Sequence, residues 1–294
     1  MSLLCPNKVR YERTADGALL WRAPAKINLT LRVGGRRDDG YHELDSTVAK
    51  VTLYDELILR PRPDGQIRLT CSGLDCGATE ENLVLRAAKL MGDRSNGADI
   101  ELIKRIPAGA GLGGGSSDAA SVLSALNQLW QLNLSRERLI NLAEKIGSDA
   151  PLFLDGPAVR MQGRGEIIEP VTIHPFAALL YLPNLHCRTE EVYASYDADG
   201  NPQSTICNPQ LEGPPSRWRS ELFNDLTAAA VRVCPPLADI SSRLAEATGL
   251  PVHMTGSGSA MFVICDDRVE AQSSADRLGD KMKNRCRIVL LNRW

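Results

Sequence analysis

The most informative chemistry in this sequence lies in the glycine-rich run from Pro107 to Ser117, which carries five glycines between positions 109 and 115. Glycine lets the backbone adopt positive φ angles and lets a ligand approach the N–H groups closely. The residues that follow have the spacing of a helix, whose N-terminus offers unpaired N–H donors and the positive end of a dipole. The run therefore predicts an anion cradle, with phosphate as the expected ligand.

The elements on either side of the glycines support this prediction. Residues 99–106 alternate roughly between polar and apolar side chains, as a half-buried strand does, and Pro107 ends its hydrogen bonding. Apolar residues then recur at helical spacing from Ala119 to Trp130, after the good N-cap types of residues 116–118. We expect the glycines on a turn from strand to helix, with the helix cap within 116–118.

Two other kinds of phosphate loop must be weighed against this run. Gly109-x-Gly111-x-x-Gly114 satisfies the dinucleotide-binding pattern, but residues 135–146 read as an amphipathic helix where that fold needs a second strand. A nicotinamide-dependent oxidoreductase therefore remains an alternative. A Walker-type loop ends in Gly-Lys-Ser/Thr, and residues 107–120 contain no lysine. The cation that faces the phosphates must come from elsewhere in the chain.

Two short motifs could supply the missing charged groups. In the segment from Pro24 to Leu29, Lys26 and Asn28 fall on one face of a predicted strand, because side chains alternate. Asp149 lies in Gly147-Ser-Asp-Ala-Pro151, a tight loop after a predicted helix. Taken alone, a solvated strand face and a turn aspartate explain these residues as well as chemistry does.

Composition limits the class of protein. A chain of 294 residues with 43% apolar content can bury a core and form two domains. The net charge of −2 argues against nucleic-acid or membrane partners, and no apolar run reaches the length of a transmembrane helix. The N-terminus resembles no leader peptide, so we expect a cytoplasmic protein with reduced cysteines. The 8 cysteines and 4 histidines show no metal-ligand spacing.

The pattern of elements is mixed rather than regularly alternating, which is typical of an α+β fold. In the first half we predict strands at 19–21, 27–33 and 48–59 and helices near 82–92, 116–131 and 136–146. In the second half we predict strands at 177–182 and 285–291, a strand pair around 255–259, and helices at 221–233, 237–248 and 269–281. Residues 151–173 are predicted as turns and short strands that form the hinge between the halves, which gives domains of 1–170 and 171–294. Residues 197–217 are predicted as a surface excursion.

In their order along the chain, these features resemble the GHMP kinase superfamily, which includes galactokinase, homoserine kinase and mevalonate kinase. Within it they are most similar to the family of kinases that act on 4-diphosphocytidyl-2-C-methyl-D-erythritol. The resemblance covers nearly the whole chain. The matching segments are Pro24–Leu29, Gly40–Leu44, Glu81–Leu83, Pro107–Ala120, Thr189–Tyr193 and Phe223–Leu226.

The resemblance implies a two-domain fold with ATP and substrate in the cleft between the domains. The N-terminal domain would resemble domain 2 of ribosomal protein S5, and the C-terminal domain would be a ferredoxin-like α+β sandwich. The implied reaction transfers the γ-phosphoryl group of ATP to the 2-hydroxyl of the cytidyl substrate, in the non-mevalonate route to isopentenyl diphosphate. A GHMP-type kinase for mevalonate, homoserine or a sugar is the alternative.

The resemblance also implies roles for individual residues. Lys26 and Asp149 would be catalytic. The ATP-binding residues would be Asn82, Pro107, Ala108, Gly109, Ala110, Gly111, Leu112, Gly113, Gly114, Gly115, Ser116 and Ser117. The substrate-binding residues would be Asn28, Tyr41, His42, Thr189 and Tyr193. Mg²⁺ would accompany ATP, with Ser116 or Ser117 as a possible ligand, and the turn Thr255–Ser259 would support the cleft.

Overall fold

The computed structural model describes residues 11–78, 81–91, 96–200 and 209–292. Its strands are β1 (Tyr11–Arg13), β2 (Leu19–Asn28), β3 (Thr30–Arg36), β4 (His42–Arg62), β5 (Ile67–Gly73), β6 (Gly97–Lys104), β7 (Ala158–Gly163), β8 (Ile167–Pro170), β9 (Ala177–Tyr181), β10 (Phe223–Asn224), β11 (His253–Met254), β12 (Met261–Cys265) and β13 (Cys286–Leu290). Its α-helices are α1 (Leu83–Met91), α2 (Gly114–Leu129), α3 (Arg136–Glu144), α4 (Thr189–Ala198), α5 (Thr227–Val233), α6 (Pro236–Thr248), α7 (Arg268–Asp276) and α8 (Asp280–Lys283). Two 3₁₀ turns cover Pro151–Leu154 and Pro215–Arg217.

The first sheet is organised around β4, which is 21 residues long. This strand pairs antiparallel with β2, β3, β6 and β7 along different parts of its length. Strand β5 extends the sheet beside β6, and β8 forms a hairpin with β7. Helices α1, α2 and α3 bury their apolar faces against this sheet in one core that includes Leu57, Ile100 and Val122. The helix that follows the glycines is thereby fixed on the sheet.

The second sheet has the strand order β11-β12-β9-β13 and is antiparallel. All five residues of β9 are buried, because both faces of the strand are covered. Leu179 points to a core shared with α7, whereas Leu180 points to a core shared with Ile27 of the first sheet. The two halves of the chain are therefore joined by an apolar core in which side chains alternate by the strand period.

One segment of the second half belongs to the first sheet. Strand β10 pairs parallel with β3, and the adjoining Asp225 accepts a hydrogen bond from the backbone N–H of Val33 at 3.0 Å. Near the other end of the second half, Asn292 donates its backbone N–H to the carbonyl of Lys50 at 2.8 Å. The domain boundary at 170/171 thus stays a prediction, and the chain after it returns to the first sheet twice.

The α+β prediction agrees with this architecture, but several element predictions are wrong. Residues 27–33 form two strands rather than one, with a break at Leu29. The predicted helix 221–233 begins at Thr227, because Phe223–Asn224 is recruited into the first sheet as β10. The turns and short strands predicted at 151–173 are confirmed by a 3₁₀ turn and by the hairpin of β7 and β8, which pairs with β4, and the role of this segment as a hinge stays a prediction.

Other differences lie in the second half of the chain. The predicted helix 269–281 is divided into α7 and α8. Helix α4 was not predicted at all. Of the predicted excursion 197–217, residues 201–208 lie outside the described residues, whereas Leu211 is buried in the core between the sheets. Within the described ranges, no helix is both long enough and apolar enough to cross a membrane.

Candidate active site

The glycine loop has the backbone geometry of an anion cradle. Gly109, Gly111 and Gly113 have φ angles of 66°, 76° and 68°, and each is followed by a residue outside this left-handed region. A run in which every second residue is left-handed is typical of loops whose N–H groups converge on an anion. Helix α2 follows directly, so its free N–H groups and dipole add to the same site.

The predicted helix cap at residues 116–118 is wrong. The N-cap is Gly113, and α2 begins at Gly114. The left-handed conformation of Gly113 lets the chain turn into the helix without a side-chain cap, so the two serines lie within the first turn. Ser117 and Asp118 are both buried rather than exposed at a helix end.

The loop is held by hydrogen bonds to both halves of the chain. The backbone N–H of Lys26 donates to the carbonyl of Leu112 at 2.9 Å, and that of Ala260 donates to Ala110 at 3.2 Å. Gly111 lies so close to the turn after β11 that an added Cβ would collide with the carbonyl oxygen of Thr255. The loop therefore depends on contacts with residues nearly 150 positions away, which local sequence does not reveal.

Lys26 and Asn28 lie on one face of β2, as the alternation predicted. Lys26 is 5% exposed, and its ammonium donates to Asn28 Oδ1 at 2.5 Å. Asn28 in turn donates its side-chain amide to Ser46 Oγ at 2.8 Å, and its Oδ1 also accepts from Thr255 Oγ1 at 3.2 Å. Burial lowers the pKa of Lys26, and the negative charge of Asp149 partly opposes that shift.

Asp149 lies just before the 3₁₀ turn at Pro151 and lines the same cleft as Lys26, Asn28 and the glycines. Among the described residues, no direct ion pair or hydrogen bond joins Asp149 to Lys26. The carboxylate acts on the ammonium through space, while Asn28 fixes the ammonium in position. Both charged groups are thus directed to one cleft without neutralising each other in a contact pair.

A second cavity, of about 500 Å³, continues from this cleft and shares Leu44, Asp149, Thr189 and Tyr193 with it. Tyr41 and His42 line the second cavity as well. Tyr41 is 55% exposed, and its ring centre is 5.5 Å from the guanidinium of Arg164. An exposed aromatic ring in a concave site is a surface on which a planar base can stack.

Helix α4 brings the remaining predicted substrate residues to this cavity. Thr189 is its first residue, and its hydroxyl lies 2.9 Å from the hydroxyl of Ser257 in the turn after β11. Tyr193 stands one turn further along, with its ring centre 5.1 Å from that of His42. Burial raises the pKa of the Tyr193 hydroxyl, as does the charge of Asp149, so this phenol stays neutral.

Asn82 lies apart from these groups. It precedes α1, and its side-chain oxygen accepts the backbone N–H of Val84 at 2.9 Å, which caps the helix. It lines a separate depression together with Ala108 and Gly115 of the glycine loop. The loop therefore has the cleft of Lys26 on one part of its surface and the depression of Asn82 on another.

Sequence reasoning missed a buried ionic cluster beneath the loop. Lys104, at the end of β6, donates to Asp55 and also to Asp118 Oδ2 at 2.7 Å. Asp118 was expected to act as a helix cap, and its actual partner is this lysine. The alternation of β6 places Lys104 on the same buried face as Ile100 and Leu102, but it does not show which carboxyl groups pair with the lysine.

Comparisons with known proteins, by sequence and by structure, both find GHMP-type kinases. Residues 82–157 match the family description "GHMP kinases N terminal domain", and residues 211–284 match "GHMP kinases C terminal". A 4-diphosphocytidyl-2-C-methyl-D-erythritol kinase from Pelotomaculum thermopropionicum is 39% identical over 263 residues, which cover 87% of this chain and 92% of the relative. The chain belongs to this kinase family.

Further relatives of the 4-diphosphocytidyl-2-C-methyl-D-erythritol kinase family agree. The enzyme of Shewanella woodyi is 37% identical over 90% of this chain and 91% of its own length. A crystal structure described as 4-(cytidine 5'-diphospho)-2C-methyl-D-erythritol kinase aligns with a TM-score of 0.76 and 33% identity, over 93% of this chain and 99% of that chain. A homoserine kinase from Cytophaga hutchinsonii, with a TM-score of 0.64 and 18% identity over 96% of this chain and 97% of its own, shares the fold.

Membership of the kinase family confirms the predicted GHMP kinase fold and the predicted enzyme class. The protein is a kinase that uses ATP and phosphorylates an alcohol group. The nicotinamide alternative is thereby excluded, although the dinucleotide-binding pattern is present in the loop. The roles of individual residues depend on the geometry of the site.

Proposed function

We propose that this protein transfers the γ-phosphoryl group of ATP to the 2-hydroxyl of 4-diphosphocytidyl-2-C-methyl-D-erythritol, which gives the 2-phosphate and ADP. This would place it in the non-mevalonate route to isopentenyl diphosphate. The observation that carries the proposal is the continuity of the cleft of Lys26 and Asp149 with the aromatic cavity of Tyr41 and His42. One elongated ligand can then reach both the catalytic groups and the aromatic rings.

The glycine loop from Pro107 to Ser117 is assigned to the phosphates of ATP. Phosphoryl transfer depends mostly on positioning and on charge stabilisation, and the loop supplies both through its N–H groups and the α2 dipole. Asn82 is assigned to the nucleoside part of ATP, since its depression adjoins Ala108 and Gly115 of the loop.

Lys26 and Asp149 are assigned to the reacting hydroxyl. Asp149 accepts the proton of the 2-hydroxyl, and Lys26 stabilises the negative charge on the attacking oxygen and on the transferring group. The ammonium is held by Asn28 at 2.5 Å rather than by a carboxylate, so its charge is directed to the substrate. Asn28 itself is assigned to substrate binding beside it.

Mg²⁺ is expected to accompany ATP, and hydroxyl oxygens are ligands that this ion accepts. Ser117 Oγ fits such a role chemically, since it is buried and has no hydrogen-bond partner in the described part of the chain. Ser116, one position earlier, is partly buried in the first turn of α2. The ion would neutralise charge on the phosphates, and either serine is a candidate to hold it.

The aromatic cavity is assigned to the cytidine end. Tyr41 offers an exposed ring for stacking, and Tyr193 contributes a second ring. The His42 imidazole provides ring nitrogens that can bond the edge of the base. Thr189, which is exposed at the start of α4, would contact the substrate between the base and the reacting hydroxyl.

The test is a phosphoryl-transfer assay with ATP and four acceptors: the cytidyl methylerythritol, mevalonate, homoserine and galactose. We expect turnover with the cytidyl substrate alone. A second test is the variant Tyr41→Ala. It should raise the KM for the cytidyl substrate, and the KM for ATP, which should stay unchanged, serves as its internal control. Preference for any of the other three acceptors would contradict the substrate assignment and leave the kinase class intact.

A further inference from the structure

The His42 ring has a partner that base binding by itself does not explain. The imidazole is 6% exposed, and its Nε2 lies 2.7 Å from Asp197 Oδ1. Asp197 also lines the aromatic cavity. A nearly buried histidine that lines a cavity, and whose Nε2 is bonded to a carboxylate, has the arrangement by which proteins fix a tautomer.

Helix α4 holds this ring at three points. Tyr193 packs against it with a tilt of 32°, and Tyr196 contacts it edge-on at 6.2 Å between ring centres. Asp197 supplies the hydrogen bond. Tyr196 and Asp197 lie three and four positions after Tyr193, so the three residues share one face of the helix. Tyr196 is itself anchored by a hydrogen bond from its hydroxyl to the carbonyl of Val33 at 2.8 Å.

The hydrogen bond to Asp197 decides which ring nitrogen carries the proton. An ionised carboxylate can only accept, so Nε2 must donate. In the neutral imidazole, Nδ1 is then left as an acceptor. Among the described residues, nothing else forms a hydrogen bond with the His42 ring, so Nδ1 has no protein partner in that part of the chain.

A hydrogen-bond acceptor at this position can discriminate cytosine from uracil, although the two bases have nearly the same shape. Cytosine presents a 4-amino group, which donates, whereas the 4-keto group of a uracil or thymine accepts. We propose that Asp197 is a positioning residue that sets the base preference of this kinase. It does so by holding the His42 proton on Nε2, so that Nδ1 accepts from the cytosine 4-amino group. This inference rests on the proposed cytidyl substrate and adds the basis of its recognition.

Substituting Asp197 by Asn tests the inference directly. The Asn amide can donate to Nε2, which moves the proton to Nδ1 and turns an acceptor toward the base into a donor. We expect Asp197→Asn to lower the ratio of kcat/KM between the cytidyl substrate and its uridyl analogue by about tenfold or more. The change should appear in KM, with the KM for ATP and the saturated kcat close to the wild-type values.

The tautomer can be read without turnover. In ¹⁵N NMR of the full-length protein, the His42 signals should indicate protonation at Nε2 in the wild type and at Nδ1 in Asp197→Asn. Asp197→Glu, which keeps an acceptor, should retain the wild-type tautomer and much of the base preference. Thermal unfolding of each variant shows whether the protein remains folded.

The matched control is Asp199→Asn. Asp199 lies two residues further along and pairs with Arg232 at 2.5 Å, away from the ring. This control should leave both the base preference and the tautomer unchanged. Equal losses on both substrates in Asp197→Asn, or an unchanged tautomer, would overturn the assignment of Asp197. A folded wild-type protein that phosphorylates neither substrate would overturn the proposed function and this inference together.

Discussion

Lys26 is buried at the wall of the cleft, and this burial lowers the pKa of its ammonium. The same desolvation that makes the charge effective on a transferring phosphoryl group makes it unfavourable for folding. Asn28 and Asp149 reduce that penalty without removing it. Function and stability therefore impose opposite requirements on this residue.

Replacing Lys26 by Met should separate the two effects. We expect kcat to fall by about 10²–10³-fold, and the free energy of unfolding at pH 7 to rise by about 1–4 kcal/mol, because the buried charge is gone. The stability difference should shrink as pH rises through the lowered pKa of Lys26 toward the ordinary lysine value, since the folded wild type then loses its proton first. Urea unfolding from pH 7 to 10 measures this, and a less stable Lys26→Met protein at pH 7 would contradict the argument.

Replacing Asp149 by Asn tests the other half of the catalytic pair. We predict a fall in turnover of ~10²–10⁴-fold, the usual range for a positioned base, with little change in nucleotide binding. Steady-state kinetics and calorimetric titration with ATP measure the two quantities. Glu144→Gln, an exposed carboxylate at the end of α3, is the control for charge. Near-normal turnover in Asp149→Asn would remove this residue from the mechanism.

At the scale of elements, the glycine loop is constrained by the turn after β11 as well as by its ligand. Gly111→Ala would place a methyl group against the carbonyl oxygen of Thr255, at a backbone φ of 76°. Gly17 has a similar φ of 83° with open space around it. We expect Gly17→Ala to cost about 1–2 kcal/mol for the left-handed conformation alone.

Gly111→Ala should lower the free energy of unfolding by more than Gly17→Ala does, because the clash with Thr255 adds to the conformational penalty. The KM for ATP should rise in Gly111→Ala and stay unchanged in Gly17→Ala. Urea unfolding and ATP kinetics of the two variants give the comparison. Equal effects would mean that the contact with Thr255 has no influence on the loop.

The ionic cluster joins three elements, β4, β6 and α2, directly under the loop. It holds one ammonium, from Lys104, and two carboxyl groups, from Asp55 and Asp118, all nearly fully buried. Asp55 also accepts the backbone N–H groups of Arg105 and Ile106 at 2.5 and 2.8 Å. Burial, together with the nearby Asp55, raises the pKa of Asp118 well above its usual value, so Asp118 is the carboxyl group that tends to keep its proton.

The two aspartates should therefore respond differently to substitution by Asn. Asp55→Asn should lower the free energy of unfolding by about 3–5 kcal/mol, because the buried Lys104 loses one of its two carboxyl partners. Asp118→Asn should change the free energy of unfolding by less than about 1 kcal/mol at about pH 4. As pH rises from the ordinary aspartate pKa toward the raised pKa of Asp118, the wild type should lose stability, because the unfolded chain releases this proton first. The free energy of unfolding of Asp118→Asn should therefore rise relative to that of the wild type. Unfolding curves across pH 4–8 test this, and equal destabilisation by both variants would contradict it.

At the scale of the whole molecule, the two halves of the chain share an apolar core and pair strands with each other. The core between the sheets contains Ile27 and Leu29 from the first half and Leu180 and Phe262 from the second. Strand β10 crosses to the first sheet, and Asn224 donates to the carbonyls of Met254 and Gly256 at 2.9 and 2.8 Å. The cleft is built along this junction.

We accordingly predict that residues 1–170 do not fold as an isolated fragment and that the full chain unfolds as one unit. Calorimetry of the full chain should give one transition with equal calorimetric and van't Hoff enthalpies. The isolated fragment should lack the dispersed NMR spectrum of a folded domain. Two separated transitions, or a folded fragment, would show that the core between the sheets contributes little to cooperativity.

The sequence alone determined the features that depend on neighbouring residues. The glycine run indicated a phosphate loop between a strand and a helix, because glycine conformation and helix periodicity are local properties. The alternation of side chains placed Lys26 and Asn28 on one face, and a hydrogen bond joins them in the folded protein. The motifs and their order along the chain were specific enough to indicate the kinase family.

Tertiary contacts decided the rest, because they join residues far apart in sequence. No local signal shows that Asp118 pairs with Lys104 instead of capping α2, or that Phe223–Asn224 leaves its own half to join β3. Likewise, the side chain that holds His42 lies 155 positions away. The sequence thus determined the kind of chemistry, and the fold decided which buried charges and hydrogen bonds direct it toward a substrate.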